Sequence, residues 1–154
     1  MALDLQPHLE RLRKNIGKEK GPLVIEVERG ALLKFAAAVG EKNPLYFDDQ
    51  YARSTRFGGI IAPPTYVSCW VTRLSEQMYD FSTPGLRSLH CDDIAENFVP
   101  IRIGDTISAT ARYIDVTLHE GRKGPMLFQT VDTTLTNQNG QTVSVVRMIV
   151  TSFQ

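Results

Sequence analysis

The sequence predicts an α+β domain in which an antiparallel sheet curls around one long helix. The first observation is the segment "PPTYVSCWVTRLSEQMY", whose apolar residues recur at helical spacing. The second is the change after this segment, where stretches rich in Val, Ile, Thr and aromatic residues alternate with the turn sequences "RIGD", "EGRKGP" and "NQNG". One apolar helix followed by several long strands is typical of a sheet packed on a single helix.

Four strands are predicted in the second half of the chain, at residues 86–99, 106–119, 126–136 and 142–153. The last three follow one another through short turns, which predicts a meander of antiparallel neighbours. Edge strands of such a sheet expose unpaired backbone groups, so we expect the domain to pair with another copy or a related chain.

Two prolines open the central helix, where proline is tolerated because the first N–H groups of a helix have no intrahelical acceptor. The apolar face of this helix is predicted from residues spaced four apart and from two valines beside them: Tyr66, Trp70, Leu74, Met78, Val67 and Val71. A face this broad indicates that the helix is the central one.

The N-terminal part of the chain predicts a helix, a strand and a second helix. Leucines at 5, 9 and 12 with Ile16 predict an amphipathic helix that ends near Gly17, and "PLVIEVERG" alternates as a half-buried strand does. "ALLKFAAAV" predicts the second helix, ended by Gly40 in the position that a left-handed cap favours. Its apolar stripe is predicted at Leu32, Phe35, Ala36 and Val39.

The stretch "NPLYFDDQYA" comes directly after that helix. Pro44 disfavours helical angles at Asn43, and Asp48 or Asp49 can cap a helical turn that begins beside them. We therefore predict a turn and a short helical segment.

Composition favours one domain and excludes some functions. The chain has 154 residues, 42% hydrophobic and 22% charged, which fits one globular domain. With the helix predicted from the leucine spacing, we expect an N-terminal helix in residues 1–20 and a single domain in 21–154. Lys plus Arg and Asp plus Glu each number 17, so no net charge directs the chain to nucleic acid.

The two cysteines, Cys69 and Cys91, lack Cys-x-x-Cys spacing, so we expect reduced thiols. The sequence "MALDLQPHLERLRK" lacks the apolar core of a secretory signal, and no apolar run approaches the roughly 18 residues of a membrane helix. We expect a cytoplasmic protein with no membrane partner.

Four segments occur in the order found in MaoC-like dehydratases: "FAAAVGEKNPLYFDDQYA", "FGGIIAPPTY", "PIRIGDTI" and "LTNQNGQTV". From Pro22 to the C-terminal end, the chain resembles their N-terminal dehydratase subfamily. The resemblance implies a hot-dog fold, a sheet wrapped around a long helix, in which two such domains pair and an acyl thioester on pantetheine enters between them. It implies an (R)-specific 2-enoyl-CoA hydratase or 3-hydroxyacyl thioester dehydratase. No cofactor is implied beyond the coenzyme A or acyl-carrier pantetheine of the substrate.

In active members of that family, the stretch after the first apolar helix reads Gly-Asp-x-Asn-Pro-x-His, and Ala-His-Gly-Met opens the long helix. The resemblance assigns the Asp and His of the first motif to activating water. It assigns a backbone N–H of the glycine in the second motif to stabilising charge on the thioester oxygen. The matching catalytic positions here are Glu41, Asn43 and Tyr46, so the Asp and the His are both replaced. Pro63 and Pro64 stand where the second motif has its His and Gly.

Each replacement weakens the expected chemistry. Glu41 keeps a carboxylate but adds a methylene, and a displacement of about 1 Å costs on the order of a hundredfold when the geometry is tight. A tyrosine, with an ordinary pKa of about 10 against about 6.5 for histidine, donates a hydrogen bond but is a poor base. Pro64 has no N–H, so only a neighbouring donor such as that of Thr65 can replace the missing one.

Substrate contacts are expected where a flexible turn leads into a helix start, because backbone there is accessible to a thioester. The predicted substrate-binding residues are Arg56, Phe57, Gly58, Gly59, Ile61, Pro63, Pro64, Thr65 and Tyr66. For Phe57, Ile61 and Tyr66, simple core packing is an equal alternative.

We interpret the chain as the degenerate subunit of a heteromer, in which it shapes the acyl tunnel and a related chain supplies intact Asp, His and oxyanion donor. Two alternatives remain. One is a self-sufficient homomeric hydratase with Glu41 as base, and the other is a non-enzymatic module that binds acyl thioesters.

Other candidate sites carry less weight. The run His90-Cys91-Asp92-Asp93 offers metal-ligand types, but neighbours on a strand point to opposite faces and no distant Cys/His pair completes a set, so no metal is expected. Basic residues could contact the phosphates of coenzyme A, with Arg56 favoured over Arg53, Arg122 and Lys123. Asn97 could reach a substrate from the end of a strand, but a strand-surface amide is the favoured interpretation.

Overall fold

The computed structural model of the chain describes residues 4–79 and 81–154. Its centre is one sheet of five strands in the order β1-β3-β4-β5-β2, in which every neighbouring pair is antiparallel. The strands are β1 (Glu19–Glu26), β2 (Arg87–Asn97), β3 (Thr106–Gly121), β4 (Gly124–Thr136) and β5 (Thr142–Phe153).

Within the described residues, four α-helices and two 3₁₀ turns accompany the sheet. The helices are α1 (Gln6–Arg13), α2 (Arg29–Ala38), α3 (Asp49–Ser54) and α4 (Ser68–Met78), and the 3₁₀ turns are Pro44–Tyr46 and Pro64–Val67. None of the helices in the described residues is long and apolar enough to cross a membrane.

The predicted strands are confirmed, with small changes at their ends. β3, β4 and β5 form the predicted meander, and β5 has the predicted bounds. Strand β4 begins two residues earlier than predicted, at Gly124, because its pairing with β3 continues to Gly121 across a tight turn. The strand predicted at 86–99 is β2. It does not pair with β3 but lies at the edge of the sheet beside β5.

The predicted central helix lies against β1, β3, β4 and β5. Val67, Val71 and Leu74 are buried in one core cluster with Leu135 and other residues of the sheet. The predicted single long helix is wrong in detail, because its first turn, Pro64–Val67, is a 3₁₀ turn and the α-helix after it has 11 residues. The side chain of Met78, also predicted on this face, lies outside the described part of the chain.

Helix α1 covers the other end of the same sheet. Its leucines, Leu5, Leu9 and Leu12, are buried with Tyr113 and Leu127 in a second core cluster. The helix ends at Arg13, earlier than predicted, so Ile16 falls in the next turn and is 44% exposed.

Helix α2 ends as predicted at a left-handed glycine. Gly40 has φ +75°, and the N–H of Glu41 donates to the carbonyl of Ala36 at 3.0 Å. Val39, predicted on the apolar stripe, is instead 52% exposed, because the helix has ended at Ala38. The first acid of the altered motif therefore begins the loop directly after this cap.

Candidate functional site

A cavity of about 340 Å³ lies where the first turn of the central helix meets the end of β2. Most of its lining residues are apolar, and the exceptions are the cationic side chain of Arg56 and the amide of Asn97. The lining residues are Arg56, Phe57, Ile61, Ala62, Pro63, Pro64, Val67, Asn97, Phe98, Val99, Pro100 and Ile101.

One wall is held to the segment 101–105 by backbone contacts. The N–H of Ala62 donates to the carbonyl of Ile101 at 2.8 Å, and Ile61 forms a β-bridge with Arg102. The guanidinium of Arg102 donates to the carbonyl of Phe57. The segment that carries the predicted substrate residues is therefore fixed from outside, although it forms no long element of its own.

The motif "IGD" supplies that support. The buried carboxylate of Asp105 accepts from the N–H of Arg102 at 2.7 Å and from the amide of Gln138 at 2.9 Å. Gly104 has φ +84°, and its N–H donates to the carbonyl of Val27. The motif therefore has a positioning role beneath the cavity.

The structure brings together five of the nine predicted substrate residues. Arg56, Phe57, Ile61, Pro63 and Pro64 line the cavity, whereas Gly58, Gly59, Thr65 and Tyr66 do not. The guanidinium of Arg56 lies 4.8 Å from the centre of the Phe57 ring, so it is held at the rim as a cation on an aromatic face.

The four predicted substrate residues that do not line the cavity lie in the core, in the turn before it and at the helix start. Tyr66 is buried, and its ring packs edge-on between Phe35 and Trp70, at centroid distances of 5.1 and 4.6 Å, as the core-packing alternative requires. Gly58 has φ +70° and makes the turn, with Gly59 after it. Thr65 is exposed, and because Pro63 and Pro64 have no N–H, its backbone N–H is the first one at this helix start.

The opposite wall was not predicted, apart from the alternative in which Asn97 reaches a substrate. It is formed by residues 97–101, of which Phe98 is exposed and Val99 half-buried. The amide of Asn97 donates to the carbonyl of Pro64 at 3.5 Å, so the residue interpreted as a plain surface amide links the two walls. The available signal was the proline in "NFVPI", which marks the end of the strand pattern and the start of a loop. Loops carry a disproportionate share of binding residues.

The three predicted catalytic positions, Glu41, Asn43 and Tyr46, lie between α2 and α3 and are not among the residues that line the cavity. Asn43 caps the next 3₁₀ turn, accepting from the N–H of Leu45 at 3.0 Å. Tyr46 is half-buried, and its pKa is raised first by burial and second by the charge of Glu41. The hydroxyl of Tyr46 therefore stays protonated near neutral pH and can donate a hydrogen bond but not act as a base.

Asp48, one of the two predicted caps, is the N-cap of α3. Its carboxylate accepts from the N–H groups of Gln50 and Tyr51, at 2.8 and 3.0 Å. Asp49 instead forms an ion pair with Arg29 at 2.6 Å, which ties α3 to the start of α2.

The remaining candidates make ordinary contacts. His90 Nε2 and Asp93 Oδ1 lie 2.9 Å apart, and the described residues contain no group of three or more His, Cys, Asp or Glu arranged to hold a metal ion. Cys69 and Cys91 are free thiols, both exposed.

Fold and site together define the class: a hot-dog domain, with a sheet packed on one helix and a cavity at the start of that helix. The chain belongs to the family described as the FAS1-like, dehydratase domain region, whose model matches residues 14–146. The resemblance to MaoC-like dehydratases is confirmed by this match and by the shared fold.

Solved structures with the same fold include two complexes of Mycobacterium tuberculosis. The HadBC complex of Mycobacterium tuberculosis, a 3R-hydroxyacyl-ACP dehydratase, has a TM-score of 0.77 and 20% identity, covering 89% of this chain and 96% of that chain. The ChsH1-ChsH2 complex of Mycobacterium tuberculosis has a TM-score of 0.73 and 17% identity, covering 98% of this chain and 96% of that chain.

Among curated relatives, a UPF0336 protein of Streptomyces avermitilis is 34% identical over 89 residues. The match covers 56% of this chain and 59% of that relative, so the chain spans little more than half the length of the relative.

Proposed function

We propose that this chain is the substrate-binding, catalytically degenerate subunit of an (R)-specific 2-enoyl-CoA hydratase or 3-hydroxyacyl thioester dehydratase. One observation carries the proposal: the chain has an apolar cavity at the helix start, while each position that would move protons or stabilise the oxyanion is altered. A related hot-dog chain would supply the intact Asp, His and backbone donor.

The cavity suits an acyl thioester. Its volume of about 340 Å³ falls in the range of small-ligand sites, and its walls are largely apolar with few polar groups, as such sites require. Arg56, which lines the cavity, would supply a cation for the phosphates of coenzyme A or the phosphate of acyl-carrier pantetheine.

Three features support the degenerate role. The raised pKa of Tyr46 removes it as a base, and Pro64 removes an N–H from the helix start. Glu41 retains a carboxylate, but on a longer side chain and beside a tyrosine rather than a histidine. Binding an acyl group needs none of these, so their loss leaves the binding role intact.

The need for a partner is supported by the exposed edge strand β2 and by relatives of this fold. Two of the solved structures with this fold are complexes, HadBC and ChsH1-ChsH2. A second hot-dog chain bound to this one would bring a complete acid/base pair without any change in the cavity.

Co-expression with a hot-dog chain that carries Gly-Asp-x-Asn-Pro-x-His tests the proposal. We expect the mixed complex to hydrate crotonyl-CoA or a longer 2-enoyl-CoA, and the purified chain alone to show little or no turnover. Glu41→Gln in this chain should leave the rate of the complex unchanged, because the working carboxylate belongs to the partner.

Two outcomes would contradict the proposal. Turnover by the chain alone, lost in Glu41→Gln, would indicate a homomeric hydratase. Binding of acyl-CoA without turnover in every mixed complex would indicate a non-enzymatic binding module.

Arg56 allows a separate test of the phosphate contact. We expect Arg56→Ala to weaken acyl-CoA binding about threefold to fivefold, the size of one exposed charge contact. Isothermal titration calorimetry with a non-hydrolysable acyl-CoA measures the change. Arg53→Ala is the matched control, because Arg53 is exposed on α3 but does not line the cavity. Equal effects of the two changes would show that Arg56 contributes only general surface charge.

A further inference from the structure

A second cavity, of about 330 Å³, lies where the turn between β3 and β4 meets the start of β2 and the end of β5. Cationic and apolar side chains line it together. The lining residues are Arg87, Arg122, Lys123, Gly124, Pro125, Met126, Phe153 and Gln154. None of the described side chains that line this cavity is acidic.

The second cavity is separate from the cavity at the helix start. Arg87 is the first residue of β2 and lines the second cavity, whereas Asn97 is the last residue of β2 and lines the first. A strand of eleven residues spans about 30 Å. Arg122 and Lys123, which the sequence offered as contacts for coenzyme A phosphates, therefore line a different cavity from Arg56.

The three cations of the second cavity have no anionic partner in the described part of the chain. The side chains of Arg87, Arg122 and Lys123 are exposed, and none of them forms an ion pair or a hydrogen bond there. By contrast, Arg147 on β5 is paired with Asp132 at 2.7 Å. Converging positive charges attract anions, and guanidinium groups favour phosphate because they bind it through two parallel hydrogen bonds.

The floor of this cavity is apolar and belongs to the outer face of the sheet. Leu127 pairs with Ser152, and both are buried. Met126 and Phe153, the adjacent residues on each strand, therefore lie on the opposite face. Arg87 pairs with Phe153 and shares that face. A cation thus lies beside two apolar side chains, an arrangement that suits a ligand with both an anionic group and an apolar body.

The turn between β3 and β4 holds the other two cations beside this floor. Gly121 and Gly124 pair across the turn, and Gly124 has φ +125°, which glycine adopts readily. A Cβ on Gly121 would lie 2.8 Å from the Sδ of Met126, so the Met126 side chain packs directly on the turn. Arg122 and Lys123 lie between the two glycines and are therefore fixed next to Met126.

We propose that the second cavity binds a phosphate monoester that carries an apolar or aromatic body. The phosphate contacts Arg87, Arg122 and Lys123, and the body lies on Met126 and Phe153. Near neutral pH such a phosphate carries about −1.5 to −2 charges, which match three cations better than the single charge of a carboxylate. The volume of about 330 Å³ leaves room for the body beside the phosphate.

Titration of the full chain with phenyl phosphate, followed by two-dimensional 1H–15N NMR, tests the proposal. We expect saturable shifts of the backbone amides of Arg87, residues 121–124 and Phe153, and no shifts in residues 56–64 and 97–101 around the first cavity. Inorganic phosphate should shift the same amides but bind about tenfold more weakly, because it buries no apolar surface. Benzoate, which has the ring but a single charge, should also bind more weakly than phenyl phosphate.

Charge-neutral substitutions identify the cations. We expect Arg87→Gln and Arg122→Gln each to raise the Kd for phenyl phosphate about threefold to fivefold, and the double variant to raise it at least about tenfold. Isothermal titration calorimetry measures these constants. Arg112→Gln is the matched control, because Arg112 is an exposed arginine of β3 whose own cavity also contains Glu19 and Asp132. All three arginines are exposed, so the fold should not change.

Phe153→Ala tests the apolar floor. We expect it to weaken phenyl phosphate binding about threefold, the size of a modest aromatic contact, and to leave inorganic phosphate binding unchanged. Circular dichroism of this variant checks that the fold is retained, because Phe153 is half-buried.

Absence of phenyl phosphate binding, or shifts confined to the first cavity, would overturn the inference. An equal loss in Arg112→Gln would also overturn it, because the attraction would then be general surface charge. Equal affinities for phenyl phosphate and inorganic phosphate would exclude the apolar body. None of these results bears on the proposed function, which instead fails if the mixed complex shows no hydration of 2-enoyl-CoA.

Discussion

Restoring the family motifs in this chain is expected to create hydratase activity without a partner. The variant combines Glu41→Asp, Tyr46→His and Pro64→Gly. The first two changes reinstate an acid/base pair, an effect that typically contributes about 10²–10⁴-fold in rate. The third returns a backbone N–H to the helix start, and one oxyanion donor contributes about 10²–10³-fold. We expect kcat/KM for crotonyl-CoA to rise at least about 100-fold over the unaltered chain.

The single changes are the controls for this prediction. Each should give only a small gain, because a general base without an oxyanion donor, or the reverse, leaves most of the barrier in place. If the triple variant folds with an unchanged circular dichroism spectrum and binds acyl-CoA but gains no activity, the assignment of these positions as altered catalytic residues is wrong.

Loss of one core leucine is expected to lower the free energy of unfolding by about 3 kcal/mol, within the 2–5 kcal/mol typical of such truncations. Leu135 is fully buried on β4, in the cluster that joins the sheet to the central helix. Leu135→Ala removes apolar contacts from both layers and leaves a cavity that the packed strands cannot fill. Urea unfolding followed by circular dichroism measures the change.

Val24→Ala on β1 is the matched control. Val24 is 65% exposed, so its truncation should change the free energy of unfolding by less than about 0.5 kcal/mol. A similar loss in both variants would contradict the assignment of Leu135 to the central core.

The strands were predictable because their Val, Ile, Thr and aromatic content and the turn sequences between them are local properties of the sequence. In β4, every second residue from Leu127 to Leu135 is buried, although two of them, Gln129 and Thr133, are polar. The predicted ends of the helices were less accurate. Ile16 and Val39 both continue an apolar period beyond the point where the backbone leaves the helix, so the pattern overestimates the length.

Only one side of the cavity could be predicted. Its first wall, 56–64, is recognisable because glycines and prolines mark a turn into a helix. The second wall, 97–101, comes from a strand that the chain order separates from that turn, and no local pattern reports that Asn97 reaches Pro64. Similarly, "IGD" suggests a turn, whereas its support of Phe57 through Arg102 depends on a contact 45 residues apart in sequence.

The amino-acid sequence alone was sufficient for the strands and helices, the family resemblance and the prediction that the family's catalytic residues are replaced. These depend on side-chain period, turn chemistry and residue identity, which are local properties. The position of β2 at an edge of the sheet and the closing of the cavity by the end of β2 required the tertiary structure. They depend on which distant segments share backbone hydrogen bonds, and many pairings satisfy the same local pattern until the whole sheet packs on its helix.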